Sequence, residues 1–297
     1  MIAQYIADGI VLGATLALGA IGLTLTYNIL RFANFAHGEF LTFGAYFALL
    51  AAGVLAGSAA FGPMTFGWSF LAALAVAAVM TAGLALLLDW LLYRPLRRSD
   101  IAVTLVIASF GASLMLRNLV VFLWGSQPEY YSRQIAIAQE ILPGVRLTAD
   151  EIFVVALTAL LMLALHLFLR RTRLGKAMRA VSDNPSLASV TGIHVQQVIR
   201  WTWITGGGLA AIAGVLYGLT VQISPEMGFN LVLPMFAAAI LGGVGSIYGA
   251  VLGGLVIGLA ESVSVPLIGA AYKPAVGFLI MFLVLLCYPQ GILGERS

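Results

Sequence analysis

Asn34, His37 and Glu39 put an amide, an imidazole and a carboxylate into the seven residues NFAHGEF, between two long apolar runs. An imidazole two residues from a carboxylate can relay a proton or hold a metal, so the stretch first suggests a buried reaction centre. The remaining parts of such a centre are missing. His166 and His194 lie on distant segments, and the sequence has no P-loop, no HExxH, no paired cysteines and no Gly-x-Ser-x-Gly elbow. We therefore expect no catalytic residue, no metal site and no bound cofactor in this chain. Nor does any segment carry the run of carboxylates and histidines of a proton-coupled pump, so energy for uphill movement would have to come from another subunit.

The elements that must position these residues are set by composition. Only 9% of the 297 residues are charged and 61% are hydrophobic, too few charges for a soluble domain to cover its surface. Lipid is the expected outer solvent. The net charge of +3 is small and its basic residues flank apolar runs, which fits membrane topology rather than nucleic-acid binding. Cys287 has no partner, which excludes a disulfide framework.

A helix needs roughly 20 apolar residues to cross a bilayer. Runs that qualify are Ile6 to Leu30, Phe35 to Ala56, Phe66 to Leu92, Ile101 to Trp124, Ile152 to Leu169, Trp201 to Val221 and Ala275 to Tyr288. With Leu231 to Val263 they make about eight segments, an all-α integral membrane protein read as a single transmembrane domain over residues 1–297. The first run is longer than a signal-peptide core and its first basic residue, Arg31, follows it; it reads as a retained helix with the N-terminus outside.

Charge orders the connections. Tyr93 to Asp100 carries Arg94, Arg97 and Arg98 against Asp100, and Arg170 to Arg200 carries Arg170, Arg171, Arg173, Lys176, Arg179 and Arg200 against Asp183; both read as cytoplasmic. Gly125 to Glu151, with Glu129, Glu140, Asp150 and Glu151 against Arg133 and Arg146, reads as an outside loop. Counting crossings from an outside N-terminus agrees with all three.

Leu231 to Val263 is broken by Gly242, Gly243, Gly245 and Ser246. It reads as a broken or re-entrant pair that dips from outside and returns, interrupted near the middle of the membrane, where only surrounding protein or water can satisfy the freed backbone. Ser246, Ala250, Gly254 and Gly258 recur every fourth residue, as close helix contacts require; generic packing and a lining role stay equally open.

In the basic loop, Asn184 can cap a short helix, Pro185 suits its first position and Gly192 can end it. Leu187, Val190 and Ile193 would give that helix an apolar edge. Either a partner protein covers the edge or the loop packs on its own bundle.

The stretches RFANFAHGEFLTFGAY, YRPLRRSD…TLVIASFGASLMLRN, GKAMRAVSDNPSLASVTGI, MFAAAILGGVGSIYGAVLGGLVIGLAES and YPQGILG occur in this order. In this combination the chain resembles the permeases of ABC importers for branched-chain amino acids, of the LivH type. The resemblance implies residence in the bacterial cytoplasmic membrane, a second related permease, two cytoplasmic ABC ATPases and an external solute-binding protein. ATP and Mg would bind the ATPases. It also implies that Gly175, Lys176, Arg179, Asn184, Pro185, Ala188 and Gly192 form the ATPase-coupling loop.

Asn34, His37, Gly38 and Glu39, with Gly242, Gly243, Gly245 and Ser246, are then candidates for a pathway or gate. For the first group the simpler reading is that Asn34 caps the second helix and Glu39 complements its dipole, at the cytoplasmic edge of the membrane. Glu261 and Lys273 are expected near the outer ends of their helices, as a pair, a binding-protein contact or interface residues. Arg117 and Asn118 are expected to reach the outer interface, His166 to be an interface histidine, and Asp89 to answer the cytoplasmic arginines. The rival to an importer subunit is a self-sufficient channel or secondary transporter for a small solute such as urea or an amide, using the Gly242–Ser246 break as its filter.

Overall fold

The computed structural model describes residues 2–55, 59–97, 102–132, 136–288 and 290–293. Arg98, Asp100 and Arg133, used above for charge, lie outside the described residues, as do Ala56, Ile101, Pro289 and Gly294. Apolar composition builds an almost wholly helical chain. In order, the helices are α1 (Ile2–Leu30), α2 (His37–Val54), α3 (Trp68–Leu96), α4 (Ala102–Trp124), α5 (Ala149–Arg171), α6 (Arg173–Asp183), α7 (Pro185–Val190), α8 (Val195–Thr220), α9 (Met227–Gly242), α10 (Ile247–Ile268) and α11 (Lys273–Cys287). A short antiparallel hairpin, β1 (Gln139–Leu142) and β2 (Val145–Leu147), interrupts the outside loop.

α1 is the axis of the bundle. From Gly13 to Thr26 it is buried on every side, with α8, α9 and α10 around it. Small residues permit this approach where no hydrophobic driving force acts between helices in lipid. A methyl group on Gly258 would lie 2.4 Å from the Gly13 backbone, and one on Gly254 would lie 2.5 Å from that of Ala17. The small-residue repeat of α10 is thus a packing seam against α1.

The basic residues mark the inner end. Arg31 donates to the Ser182 carbonyl, Arg97 pairs with Asp89 at 2.6 Å, and Asn28 donates to the Gly245 carbonyl at 2.6 Å. At the opposite end Gln4 meets Asp8 and the Arg146 carbonyl, while Thr65 meets Asp150. With the basic end cytoplasmic, α1 runs inward and α10 outward, and α11 returns inward.

Two expectations change. The second run does not cross as a straight helix: residues 31–36 turn back at Arg31 (φ 57°) and climb into the bundle without helical structure, so α2 begins deep inside. Phe32, Asn34 and Ala36 are buried, the condition under which irregular backbone survives at membrane depth. The second change concerns Leu231 to Val263. It does dip and return, but its break lies at the inner end beside Asn28, and the returning leg is a full-length helix of 22 residues. Only the descending leg, α9, is short, at 16 residues or about 24 Å.

Candidate functional site

His37 Nε2 lies 3.1 Å from the Gly19 carbonyl oxygen of α1, and a methyl group on Gly22 would meet both the His37 ring and the Gly206 carbonyl of α8. Ser113 of α4 donates to Glu39 Oε1 at 3.1 Å. Gly19 is eleven residues from Leu30, Ser113 eleven from Ala102 and Gly206 eleven from Val195. At 1.5 Å per residue each contact is about 17 Å from the inner end of its helix. NFAHGEF therefore sits at mid-depth in the bundle, not at the cytoplasmic edge. Hydropathy along the chain carries no depth once a turn such as that at Arg31 sends the backbone into the protein.

The capping expectation for Asn34 also changes. The residue before α2 is Ala36, with no side-chain cap. Asn34 Oδ1 instead accepts from the Ala36 amide at 3.1 Å and from the Tyr93 hydroxyl at 3.0 Å, holding the turn that feeds the helix. Tyr93 ends a π-helical stretch, Asp89–Tyr93, and its ring stacks on Trp203. Asp89 faces Arg97, as expected of it. Phe35 N donates to Ser109 Oγ at 3.1 Å, a second tie from this segment to α4. His37 Nδ1, Glu39 Oε2 and Asn34 Nδ2 are buried and make no hydrogen bond among the described residues.

The starts of α2 and α9 meet at this level. A methyl group on Gly38 would lie 2.4 Å from the Gly228 carbonyl oxygen, and the Gly228 amide donates to Thr42 Oγ1 at 3.0 Å. Above it, residues 221–226 descend from the end of α8 and pair with the outside loop, Glu129 and Ile223 exchanging backbone hydrogen bonds of 2.8 and 2.9 Å. Glu226, just before α9, forms an ion pair with Arg117 of α4, whose guanidinium lies 5.2 Å from the centre of the Phe229 ring. Glu226 stands 109 residues from Arg117, and no local pattern in the sequence singles it out.

The other candidate glycines form a turn. Gly243 and Gly245 take φ of 107° and 100°, Gly242 presses on Gly249, and Ser246 Oγ caps α10 by accepting from the Gly249 amide at 3.0 Å. The amides of Ile292 and Leu293 donate to the Leu241 and Gly242 carbonyls, closing the turn from below. The turn meets α1 at Asn28, nine residues or about 14 Å inward of the Gly19 contact of His37, and does not join it.

In the cytoplasmic segment Thr172 caps α6, and Asn184 Oδ1 accepts from the Leu187 amide at 3.0 Å to cap α7, with Pro185 next. Gly192 takes φ of 88° and ends it. Gly175 packs on the backbone of Phe168 and Leu169, fixing α6 to α5. Leu187 and Val190 are exposed, Ile193 is half-buried and Ala188 is buried. Lys176 and Arg179 are exposed, Arg179 beside a groove of about 670 Å³ that His166 and Tyr248 also line; their side chains bond at 2.6 Å. Glu261 is not an interface residue. It is buried beneath Gly277 of α11, and its Oε1 makes no hydrogen bond among the described residues.

Residues 5–286 match the family described as branched-chain amino acid transport system, permease component. The chain belongs to that family. It is 38% identical over 300 residues to the high-affinity branched-chain amino acid transport system permease protein LivH of Escherichia coli K12, covering 98% of this chain and 95% of that one. Identity is 36% to the corresponding permease BraD of Pseudomonas aeruginosa, with the same coverage. To the probable branched-chain amino acid transport permease protein LivH of Methanocaldococcus jannaschii it is 32%, over 98% of this chain and 92% of that one. With seven helices long and apolar enough to span among its described residues, the chain is a multi-pass permease of the inner membrane and a subunit of the ABC importer class.

Proposed function

We propose that this chain forms one half of the translocation pathway of an ATP-driven importer for branched-chain amino acids or related small polar solutes. A second, related permease would supply the other half, two cytoplasmic ABC ATPases the ATP and Mg chemistry, and an external binding protein the solute. The observation that carries the coupling is the cytoplasmic pair α6 and α7. It is capped at both starts and anchored to α5 through Gly175, yet it leaves Leu187 and Val190 in water. An apolar edge on a rigid, anchored element is what a docking surface needs. In this reading Asn184, Pro185 and Gly192 shape the docking helix, Ala188 seats it on the bundle, and Lys176 and Arg179 add charge beside it. Mid-depth residues Asn34, His37, Gly38 and Glu39 hold the re-entrant segment that an alternating-access change would move.

The rival channel reading draws no support from the Gly242–Ser246 turn, whose residues are each accounted for by turn geometry and capping. Proteoliposomes test the choice. Leucine uptake should require the partner permease, both ATPases, the loaded binding protein and ATP; uptake by this chain alone would overturn the importer reading.

A further inference from the structure

Arg117 and Glu226 are paired, but neither is sealed inside the protein: their side chains are 27% and 60% exposed on one face of the bundle. Arg117 is seven residues, about 10 Å, below the outer end of α4, and fifteen residues, about 22 Å, above its inner end. Exposed Asn118 and Asn230 flank the pair, on α4 and on α9. Ionisable groups at such depth face a bundle interior or a water-filled cavity rather than lipid, and they mark substrate pathways.

Directly inward, the face changes character. Phe35 of the re-entrant segment stands between Phe110 of α4, at 6.0 Å, and Phe236 of α9, at 5.1 Å. Phe110 is seven residues below Arg117 and Phe236 ten below Glu226, so the three rings lie roughly 10 to 15 Å further in. The face therefore presents an opposite-charge pair with two amides above and an aromatic closure below. Phe35 belongs to the same segment whose Asn34 and His37 are held at mid-depth, so movement of that segment would move the closure.

We infer that Arg117 and Glu226 are a solute station in the outer half of the pathway, where a small zwitterion replaces their mutual contact. This rests on the importer reading above. The guanidinium takes an α-carboxylate in its two-pronged geometry, and the Glu226 carboxylate takes the α-ammonium. The ring of Phe229, already against Arg117, and Leu114, one turn below Asn118, offer apolar surface to an aliphatic side chain. Such a station accepts amino acids and disfavours urea or simple amides, which offer neither charge and leave the site's polar groups unmatched.

The test uses the full complex in proteoliposomes with Arg117→Gln, Glu226→Gln and the exchanged pair Arg117→Glu/Glu226→Arg. Each single substitution should lower leucine uptake by more than about tenfold while the complex still assembles and the loaded binding protein still stimulates ATP hydrolysis. Uptake restored to the wild-type rate by the exchanged pair would overturn the inference in favour of a purely structural ion pair, as would unchanged uptake in both single variants. Independently, Asn118→Cys and Asn230→Cys in a Cys287→Ser background should react with a membrane-impermeant thiol reagent added from outside. Unreactive cysteines would mean that lipid or the second permease seals this face, and would overturn it too. Uptake by the wild-type complex separates the two readings: if it is ATP-dependent and the variants match it, this station fails while the importer stands.

Discussion

The phenol of Tyr93 lies flat against the indole of Trp203, centroids 5.2 Å apart and planes 4° apart, while its hydroxyl donates to Asn34 Oδ1 at 3.0 Å. One side chain thus joins α3, α8 and the re-entrant segment. Tyr93→Phe keeps the stack and removes the donor, leaving Asn34 Oδ1 with the Ala36 amide alone. The expected cost is about 1 kcal/mol, read as a fall of a few degrees in the thermal midpoint of the purified protein. Trp203→Ala removes the platform itself and should cost about 3 to 5 kcal/mol. Equal midpoints for the two variants would show that the stack contributes nothing.

Arg31 holds a left-handed backbone conformation, φ 57°, which costs a non-glycine residue about 1 to 2 kcal/mol, and its guanidinium reaches the Ser182 carbonyl at the end of α6. Arg31→Gly relieves the strain and loses the link; Arg31→Ala loses the link and keeps the strain. The glycine variant should be the more stable of the two in thermal unfolding. In the reconstituted complex both should move less solute per ATP hydrolysed, and a coupling ratio unchanged in both would remove Arg31 from the path between the cytoplasmic helices and the re-entrant segment.

Leu187→Asp with Val190→Asp should abolish co-purification of the ATPases while membrane insertion and thermal midpoint stay normal, because both side chains are exposed. Ala188→Glu is a different experiment. It buries a charge, so it should loosen α7 on its own bundle, seen as faster amide exchange over residues 185–193. ATPase association that survives the double aspartate variant would move the docking surface elsewhere.

Gly38→Ala should destabilise by about 1 to 3 kcal/mol, since its methyl group would lie 2.4 Å from the Gly228 carbonyl oxygen. Gly53→Ala on the same helix, with nothing within 4 Å, should be neutral or stabilising by up to about 1 kcal/mol. Thermal unfolding of the two variants side by side checks whether the meeting of α2 and α9 is as tight as the distances say.

Much of this architecture was legible in the sequence because its signals are local. Apolar runs mark the long helices, Asn184-Pro185 and Gly192 bound α7, and clusters of arginine mark one end of the bundle. The missing parts depend on contacts between distant segments. His37 and Glu39 were recognisable as polar residues beside an apolar run, but only Gly19, Ser113 and Gly206 reveal their depth. Glu261 looked like an outer-end residue until α11 covered it with Gly277. Glu226 lies between the apolar runs that end at Val221 and resume at Leu231, and its descent toward Arg117 accompanies the pairing of Ile223 with Glu129, which no local pattern announces.

The equal spacing of Gly19 and Ser113 from their helix ends has a mechanical meaning. Two helices are tied to one segment across the middle of the protein, α1 through the Gly19 carbonyl and α4 through Ser113, while α8 packs on α1 one turn further in, Gly206 against Gly22. Sliding α1 or α4 by one turn, about 5.4 Å, would carry its contact away from that segment, whereas rocking about this level would swing the two ends oppositely and leave the centre in place. A bundle that rocks rather than slides would therefore pivot near the level of His37 and Glu39.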